Sequence, residues 1–259
     1  MNSETEKTIN RILVSLDFDS SSSSFVESMV KLASQLDAEL CGLFIEDSEL
    51  QQVANLPFSR EITFPLAHTR ELNSDQIARH LKQHAEAMRE MMKNLSQLSN
   101  VACSFKTAKG PRIESVLSES YDFQVVVLLP EKYSSLTAKR PARLEEIINP
   151  TVLLYDGSEQ AQKSAYIVKA LADKGELHQL KILTLDYDSE VLAKQRFTFE
   201  NVNIDYQRIN AYEISSIIAL LETQKTGLLI LPAEDKLIEQ SEQIRKILDA
   251  LKCPLLLVR

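Results

Sequence analysis

The feature that most constrains the fold of this chain is a pattern that occurs twice: an apolar strand, a polar turn and an amphipathic helix. It appears first as RILVSLDFDSSSSSFVESMVKLASQL from residue 11 and returns as TVLLYDGSEQAQKSAYIVKALA from residue 151. Continuous apolar runs are typical of strands that a parallel sheet buries on both faces. Strands and helices then alternate, which favours parallel strands with right-handed crossovers. The sequence predicts an α/β protein of two tandem units, each a parallel sheet flanked by helices.

The repeat places the boundary between the units near the middle of the chain. We predict a first unit over residues 1–148 and a second over 149–259, sizes that suit ordinary domains. Only one strand, at 151–156, fits between the helix ending near Ile148 and the helix starting near Ser158, where an ordinary tandem needs two. Asp-Gly-Ser followed by a helix matches the opening of a unit. We therefore assign this strand to the second unit, which leaves the first unit short of its last strand.

The remaining predicted strands are 11–17, 39–47, 101–108, 123–130, 179–186, 202–209, 227–234 and 253–259. The last of them, CPLLLVR, would keep a free edge in this arrangement. Free strand edges are places where chains associate, so we predict a homodimer paired through the C-terminal strand.

Composition excludes several classes of partner. The net charge of −8 argues against nucleic acids and anionic membranes, which attract basic surfaces. The longest apolar runs, 125–130 and 228–232, are too short to span a bilayer, and the polar N-terminus does not resemble a signal peptide. Cys41, Cys103 and Cys253 are widely spaced in strand-like segments, which predicts buried free thiols and a cytoplasmic protein.

Both halves resemble the universal stress protein family, an α/β fold related to flavodoxin-like nucleotide binders. The resemblance rests on element order and on three stretches: ILVSLDFDSSSSSFVESMVKLASQLDAELCGLFIED, VLLYDGSEQAQKSAYIVKALA and CPLLLV. The stretch LFIEDSELQQVANLPFSREI is similar to a glycine-poor bacterial tandem subgroup of that family. The resemblance implies a tandem pair of such domains in a bacterial stress response.

In ATP-binding members of the family, an Asp after the first strand contacts adenine, and a Gly-x2-Gly-x9-Gly-Ser/Thr loop after the fourth strand wraps the phosphates. By position, Asp17 and Asp156 are the cofactor-binding candidates here. Their carboxylates also suit the first turn of a helix, where Asp156 and Glu159 can form a capping box, and we expect this second role.

Neither loop after the fourth strand contains a glycine. The second loop instead carries acidic residues that would repel phosphates: Glu234, Asp235, Glu239 and Glu242. The first loop is basic and leaves room for an anion, through Lys132, Lys139, Arg140 and Arg143. Because glycines let backbone N–H groups approach phosphate oxygens, we expect no ATP or other cofactor in either half.

No set of catalytic or metal-binding residues can be assembled from the sequence. His80 and His84 are four residues apart on a predicted helix, but neither an HExxH pattern nor a nearby Cys accompanies them, so we expect them to flank its apolar stripe. Nucleophile elbows, CxxC pairs and Walker loops are absent. We therefore expect a non-catalytic, ATP-independent tandem universal stress protein that acts by binding an unidentified protein. The alternative is a small-molecule or nucleotide sensor using the crevice near Asp17.

The segment 48–74 departs most from a minimal unit. It contains apolar residues without a clean period: Leu56, Pro57, Phe58, Ile62, Phe64, Pro65 and Leu66. Long connections of this kind are either flaps over their own sheet or contact surfaces for a partner or ligand. The sequence leaves both interpretations open.

Replacing Phe58 and Phe64 together by Ser separates the two interpretations. A contact surface predicts loss of partner capture in a pull-down with a nearly unchanged melting temperature. A flap predicts that the free energy of unfolding falls by roughly 2–5 kcal/mol, the usual cost of losing buried aromatic packing.

Overall fold

A computed structural model describes residues 9–16, 22–47, 52, 60–63, 68–71, 74–130, 143–209, 214–223 and 227–259. Within these ranges the strands are β1 (Arg11–Leu16), β2 (Glu39–Asp47), β3 (Arg60–Thr63), β4 (His68–Glu71), β5 (Cys103–Gly110), β6 (Val125–Leu128), β7 (Thr151–Tyr155), β8 (Gln179–Thr184), β9 (Asn203–Arg208), β10 (Leu228–Pro232) and β11 (Leu255–Val258). The helices are α1 (Ser23–Gln35), α2 (Ser74–Leu98), α3 (Arg112–Glu119), α4 (Leu144–Ile148), α5 (Glu159–Asp173), α6 (Tyr187–Arg196), α7 (Ile214–Thr223), α8 (Asp235–Ile238) and α9 (Ser241–Ala250).

The strands form one nine-stranded sheet in the order β5-β2-β1-β6-β11-β10-β7-β8-β9, and β3 and β4 form a separate antiparallel pair. Every pairing in the large sheet is parallel except β6 with β11. The predicted α/β class is confirmed. The assignment of residues 151–156 to the second unit is also confirmed, because β7 pairs with β8 and β10.

The strand β11 joins the two units into one sheet, which the sequence did not predict. Leu255 lies opposite Leu229 of β10 in parallel register and opposite Leu128 of β6 in antiparallel register. All four residues of β11 are buried. The expected pair of separate sheets and the expected free edge at 253–259 are therefore wrong. Because the first unit lacks its own last strand, the open side of β6 is completed by β11, and the edge on which a homodimer depended is occupied.

Helices cover both faces of the sheet, and each face has one core that runs through both units. Alternate side chains of β1 show the division: Ile12 and Val14 face one core, and Leu13 faces the other. The first core is covered by α1, α2, α4, α5 and α6. The second is covered by α3, α7, α8 and α9. Burial on both faces explains why the strand sequences are continuously apolar.

The connection between the units is fixed by the side chain of Asn149. Its Nδ2 donates to the carbonyl oxygens of Glu145 (2.8 Å) and Glu176 (2.7 Å). Its Oδ1 accepts from the backbone N–H groups of His178 (2.7 Å) and Gln179 (3.1 Å). One amide thus holds the end of α4 against the start of β8, and it satisfies four backbone groups that strand and helix ends would otherwise leave unpaired.

Gly227 packs directly on this connection. A Cβ atom there would lie 2.7 Å from the carbonyl carbon and oxygen of Asn149 and 2.8 Å from the carbonyl oxygen of Ile147. These atoms belong to the backbone, so no side-chain rotation relieves the contact.

We expect Gly227→Ala to lower the free energy of unfolding by about 3 kcal/mol, because overpacking against backbone forces the connection to shift. Gly175→Ala is the matched control: Gly175 has φ +70 with nothing within 4 Å of its Cβ position, so only about 1 kcal/mol of backbone strain is expected. Urea unfolding of both variants measures the difference. Equal losses of unfolding free energy in the two variants would show that the close backbone contact at Gly227 does not add to the cost of the substitution.

Candidate functional site

Open α/β sheets bind ligands beyond the carboxyl ends of their strands, where the strand order reverses. The described strands have two such points, one between β1 and β6 and one between β7 and β10. Since β6 and β11 run antiparallel, the carboxyl ends of the two sets of strands lie at opposite edges of the sheet. The two candidate crevices are therefore separate, because they lie at opposite ends of the strands.

At the first crevice, most of the predicted residues lie outside the described ranges: Asp17, Lys132, Lys139 and Arg140. Arg143 is described and immediately precedes α4. The structure adds Arg112, which opens α3 and donates from Nη2 to the carbonyl oxygen of Leu129 at the end of β6. Sequence reasoning did not single out Arg112, although a cation directly after Pro111 in a strand-to-helix turn was a usable signal.

At the second crevice, Asp156 holds the turn that follows β7. Its Oδ1 accepts from the backbone N–H of Ser158 at 2.9 Å, and the Ser158 Oγ accepts from the N–H of Ala161 at 3.1 Å. The N-cap of α5 is therefore Ser158, and the predicted capping box between Asp156 and Glu159 is wrong. Gly157 adopts φ +79 between the two residues, and the cap of α5 lies two residues after Asp156.

The acidic residues that follow β10 are all exposed: Glu234, Asp235, Glu239 and Glu242. The Asp235 Oδ1 accepts from Arg259 Nη2 at 2.6 Å. The backbone N–H of Ala233 donates to the Val258 carbonyl oxygen at 2.7 Å. The groups that would face a phosphate at the end of β10 are thus a carboxylate and an amide that already has an acceptor.

Arg259 is the residue that sequence reasoning missed at this crevice. Its backbone N–H donates to the carbonyl oxygen of Gln124 (2.8 Å), and its carbonyl oxygen accepts from Lys163 Nζ (2.8 Å). Its guanidinium lies 4.9 Å from the ring centre of Tyr121, and its side chain is only 14% exposed. Arg259 therefore connects the first unit, through Gln124 and Tyr121, with Asp235 and Lys163 of the second.

A hydrophobic side chain covers the turn at Asp156 from the side of β8. The Cδ1 of Leu192, on α6, lies 3.6 Å from the position of a Cβ on Gly157. Leu192 remains 49% exposed. The turn that follows β7 is therefore bordered by an aliphatic side chain of α6, a helix that the sequence did not predict.

The three cysteines are free thiols, but only two of them are buried as predicted. Burial raises the pKa of the Cys253 thiol to about 12, and it raises the pKa of Cys41 and of Cys103 above the ordinary thiol value. Cys103 is exposed because β5 is an edge strand of the sheet. A raised pKa keeps a thiol protonated at neutral pH, and a protonated thiol is a poor nucleophile.

His80 and His84 do not gather metal ligands around them. His84 packs on Phe44, with ring centres 5.8 Å apart, and His80 is exposed. Across the described ranges, no group of three or more His, Cys, Asp or Glu side chains is arranged to hold a metal ion. Among the same residues, no helix is long and apolar enough to cross a membrane.

Within segment 48–74, the described part is the pairing of β3 with β4, in which Arg60 lies opposite Glu71. Phe58 and Phe64 lie outside the described residues. Whether this segment is a flap or a contact surface stays a prediction.

Comparisons with known proteins identify the fold. No protein-family profile and no curated protein sequence matches the chain. Among solved structures, the chain is similar to a universal stress protein from Archaeoglobus fulgidus over 95% of this chain and 96% of that one, with a TM-score of 0.51 and 11% identity. A protein of the same family from Burkholderia pseudomallei covers 79% of this chain and 98% of its own length at 10% identity, but its TM-score of 0.28 carries no weight. The predicted resemblance is confirmed as a shared fold.

The hydrogen bond at Asp156 leads to a test of its role. We expect Asp156→Ala to lower the free energy of unfolding by about 1 kcal/mol, because the Ser158 N–H loses its acceptor. Asp156→Asn keeps a side-chain oxygen and is expected to cost clearly less. Thermal unfolding of the two variants checks the order. Equal stability of the wild type and Asp156→Ala would contradict the structural role and favour a ligand-binding role for Asp156.

Proposed function

We propose that this chain is a non-catalytic tandem universal stress protein that acts in the bacterial cytoplasm by binding another protein, without using ATP. The fold shared with the Archaeoglobus protein supports the family assignment. The observation that carries the ATP-independent part is the Arg259–Asp235 ion pair at the end of β10. It stands where a glycine-rich loop would receive phosphates.

The electrostatics of the second crevice oppose a nucleotide. The Asp235 side chain is 78% exposed and presents its carboxylate to solvent. Its partner, the Arg259 side chain, is only 14% exposed. Glu234 is exposed beside it. A triphosphate entering here would meet like charges before any cation, and like charges close together lower affinity. With no glycine in the loop, the backbone offers few N–H groups to compensate.

The state of the three thiols is consistent with the non-catalytic part of the proposal. In the described part of the chain, the thiols of Cys41 and Cys253 are buried and hold raised pKa values. The pKa of Cys103 is also raised, because the surrounding protein partly desolvates its thiol although the residue lies on an edge strand. None of the three is prepared as a thiolate, and thiolates are the reactive form. Binding is thus the role that these residues favour.

The second candidate function is a sensor of a small anion or nucleotide at the first crevice. One observation favours it: Arg112 reaches the end of β6, the strand that precedes the basic residues Lys132, Lys139 and Arg140 in the sequence. A guanidinium near the carboxyl end of a switch-point strand suits an anionic ligand.

Titration calorimetry with Mg-ATP tests the main proposal. We expect no saturable heat at low millimolar ATP, because both loops lack glycine and the second presents carboxylates. Asp17→Ala and Asp156→Ala are matched variants that distinguish the two crevices. A micromolar dissociation constant in the wild type would contradict the proposal, and its loss in Asp17→Ala alone would establish the sensor at the first crevice.

A further inference from the structure

A cleft lies between α2 and the edge strand β5, away from both switch points. Its volume is about 340 Å³, at the lower end of the range of small-molecule sites. One wall comes from the second half of α2, and the other comes from the start of β5. The lining residues are Arg89, Lys93, Ser96, Gln97, Val101, Cys103, Ser104 and Phe105.

The charge of this lining is opposite to that of the chain. The protein carries a net charge of −8, yet the cleft is lined by Arg89 and Lys93 and by no carboxylate. Two acidic residues near it are already paired. Glu86 pairs with Arg89 at 2.9 Å, and Glu39 pairs with Arg11 at 3.2 Å and accepts from the Ser104 Oγ of the cleft lining at 2.9 Å. The Lys93 ammonium has neither a hydrogen bond nor an ion pair with any other residue that the structure describes. One full positive charge is thus available to a ligand.

The uncharged groups of the cleft form an apolar surface beside these cations. Val101 and Phe105 are partly buried against the first core, and the Arg89 guanidinium lies 5.2 Å from the Phe105 ring centre. The Gln97 side chain adds amide donors at the rim. Among the strands that the structure describes, β5 is the last of the sheet, so alternate N–H groups on its outer side have no strand partner there. Donors, cations and an apolar wall therefore meet in one concave site.

We propose that this cleft binds a small planar carboxylate. Its charged group lies between Lys93 and Arg89, and its apolar body contacts Val101 and Phe105. The site is independent of the proposed function, because it lies beside the amino-terminal part of β5, whereas the first crevice lies beyond the carboxyl ends of β1 and β6. Binding of a ligand in this cleft does not depend on whether ATP binds elsewhere. The proposed function and the proposed cleft ligand can therefore be refuted independently.

The test is a titration of the full chain with benzoate, followed by amide chemical shifts in ¹H–¹⁵N NMR spectra. Benzamide, which has the same ring without the charge, is the ligand control. Lys93→Gln and Arg89→Gln remove one cation each. Lys82→Gln is the matched protein control, because Lys82 is an exposed lysine on the same helix about three turns away and does not line the cleft.

We expect saturable shifts at residues 97–105 with benzoate and not with benzamide. Lys93→Gln and Arg89→Gln are each expected to weaken benzoate about fivefold or more, since charge-assisted contacts dominate such sites, and Lys82→Gln is expected to change little. The spectra themselves show whether each variant is folded. Absent shifts, equal effects of benzamide, or equal losses in Lys82→Gln would each overturn the proposal.

Discussion

The antiparallel pairing of β6 with β11 is the contact on which the rest of the architecture depends. It closes the open side of the first unit with a strand of the second and makes one sheet from two repeats. Because all four β11 residues are buried apolar side chains, the two faces of the sheet form continuous cores across the junction. The helix contacts follow from this: Arg245 of α9 pairs with Glu114 of α3 at 2.8 Å, between units.

The positions of the strands along the chain were predictable, because burial on both faces leaves a continuous apolar run. Which strands pair with each other was not predictable. The sequence LLLV in β11 is compatible with a partner on either side and in either direction, since only side-chain burial is written in it. The helix α6 was missed for the opposite reason. Its sequence YDSEVLAKQR lacks an apolar stripe, and the capping box of Asp186 and Ser189 was its only local signal.

The candidate site was predicted in part. The lack of glycine and the acidic residues after β10 can be read directly from the sequence. The partner of Asp235 cannot, because the register of β10 and β11 places Arg259 beside it. Asp156 and Ser158 are two positions apart and both can cap a helix. The structure caps α5 with Ser158, and Gly157 adopts a positive φ between them. Cys103 was expected inside because a strand sequence does not say whether the strand is at an edge.

The shared strand also has a consequence for the order of synthesis. Strand β6 is complete when residue 128 leaves the ribosome, but the strand that covers its open side ends at residue 258. Until then, an apolar strand edge of the first unit has no permanent neighbour, in a protein whose second half is still being made. Edges of this kind invite pairing with other chains, and contacts so distant in sequence form slowly. During synthesis, the edge of β6 thus stays exposed until β11 has been made. A tandem protein with two self-contained sheets would avoid this exposure.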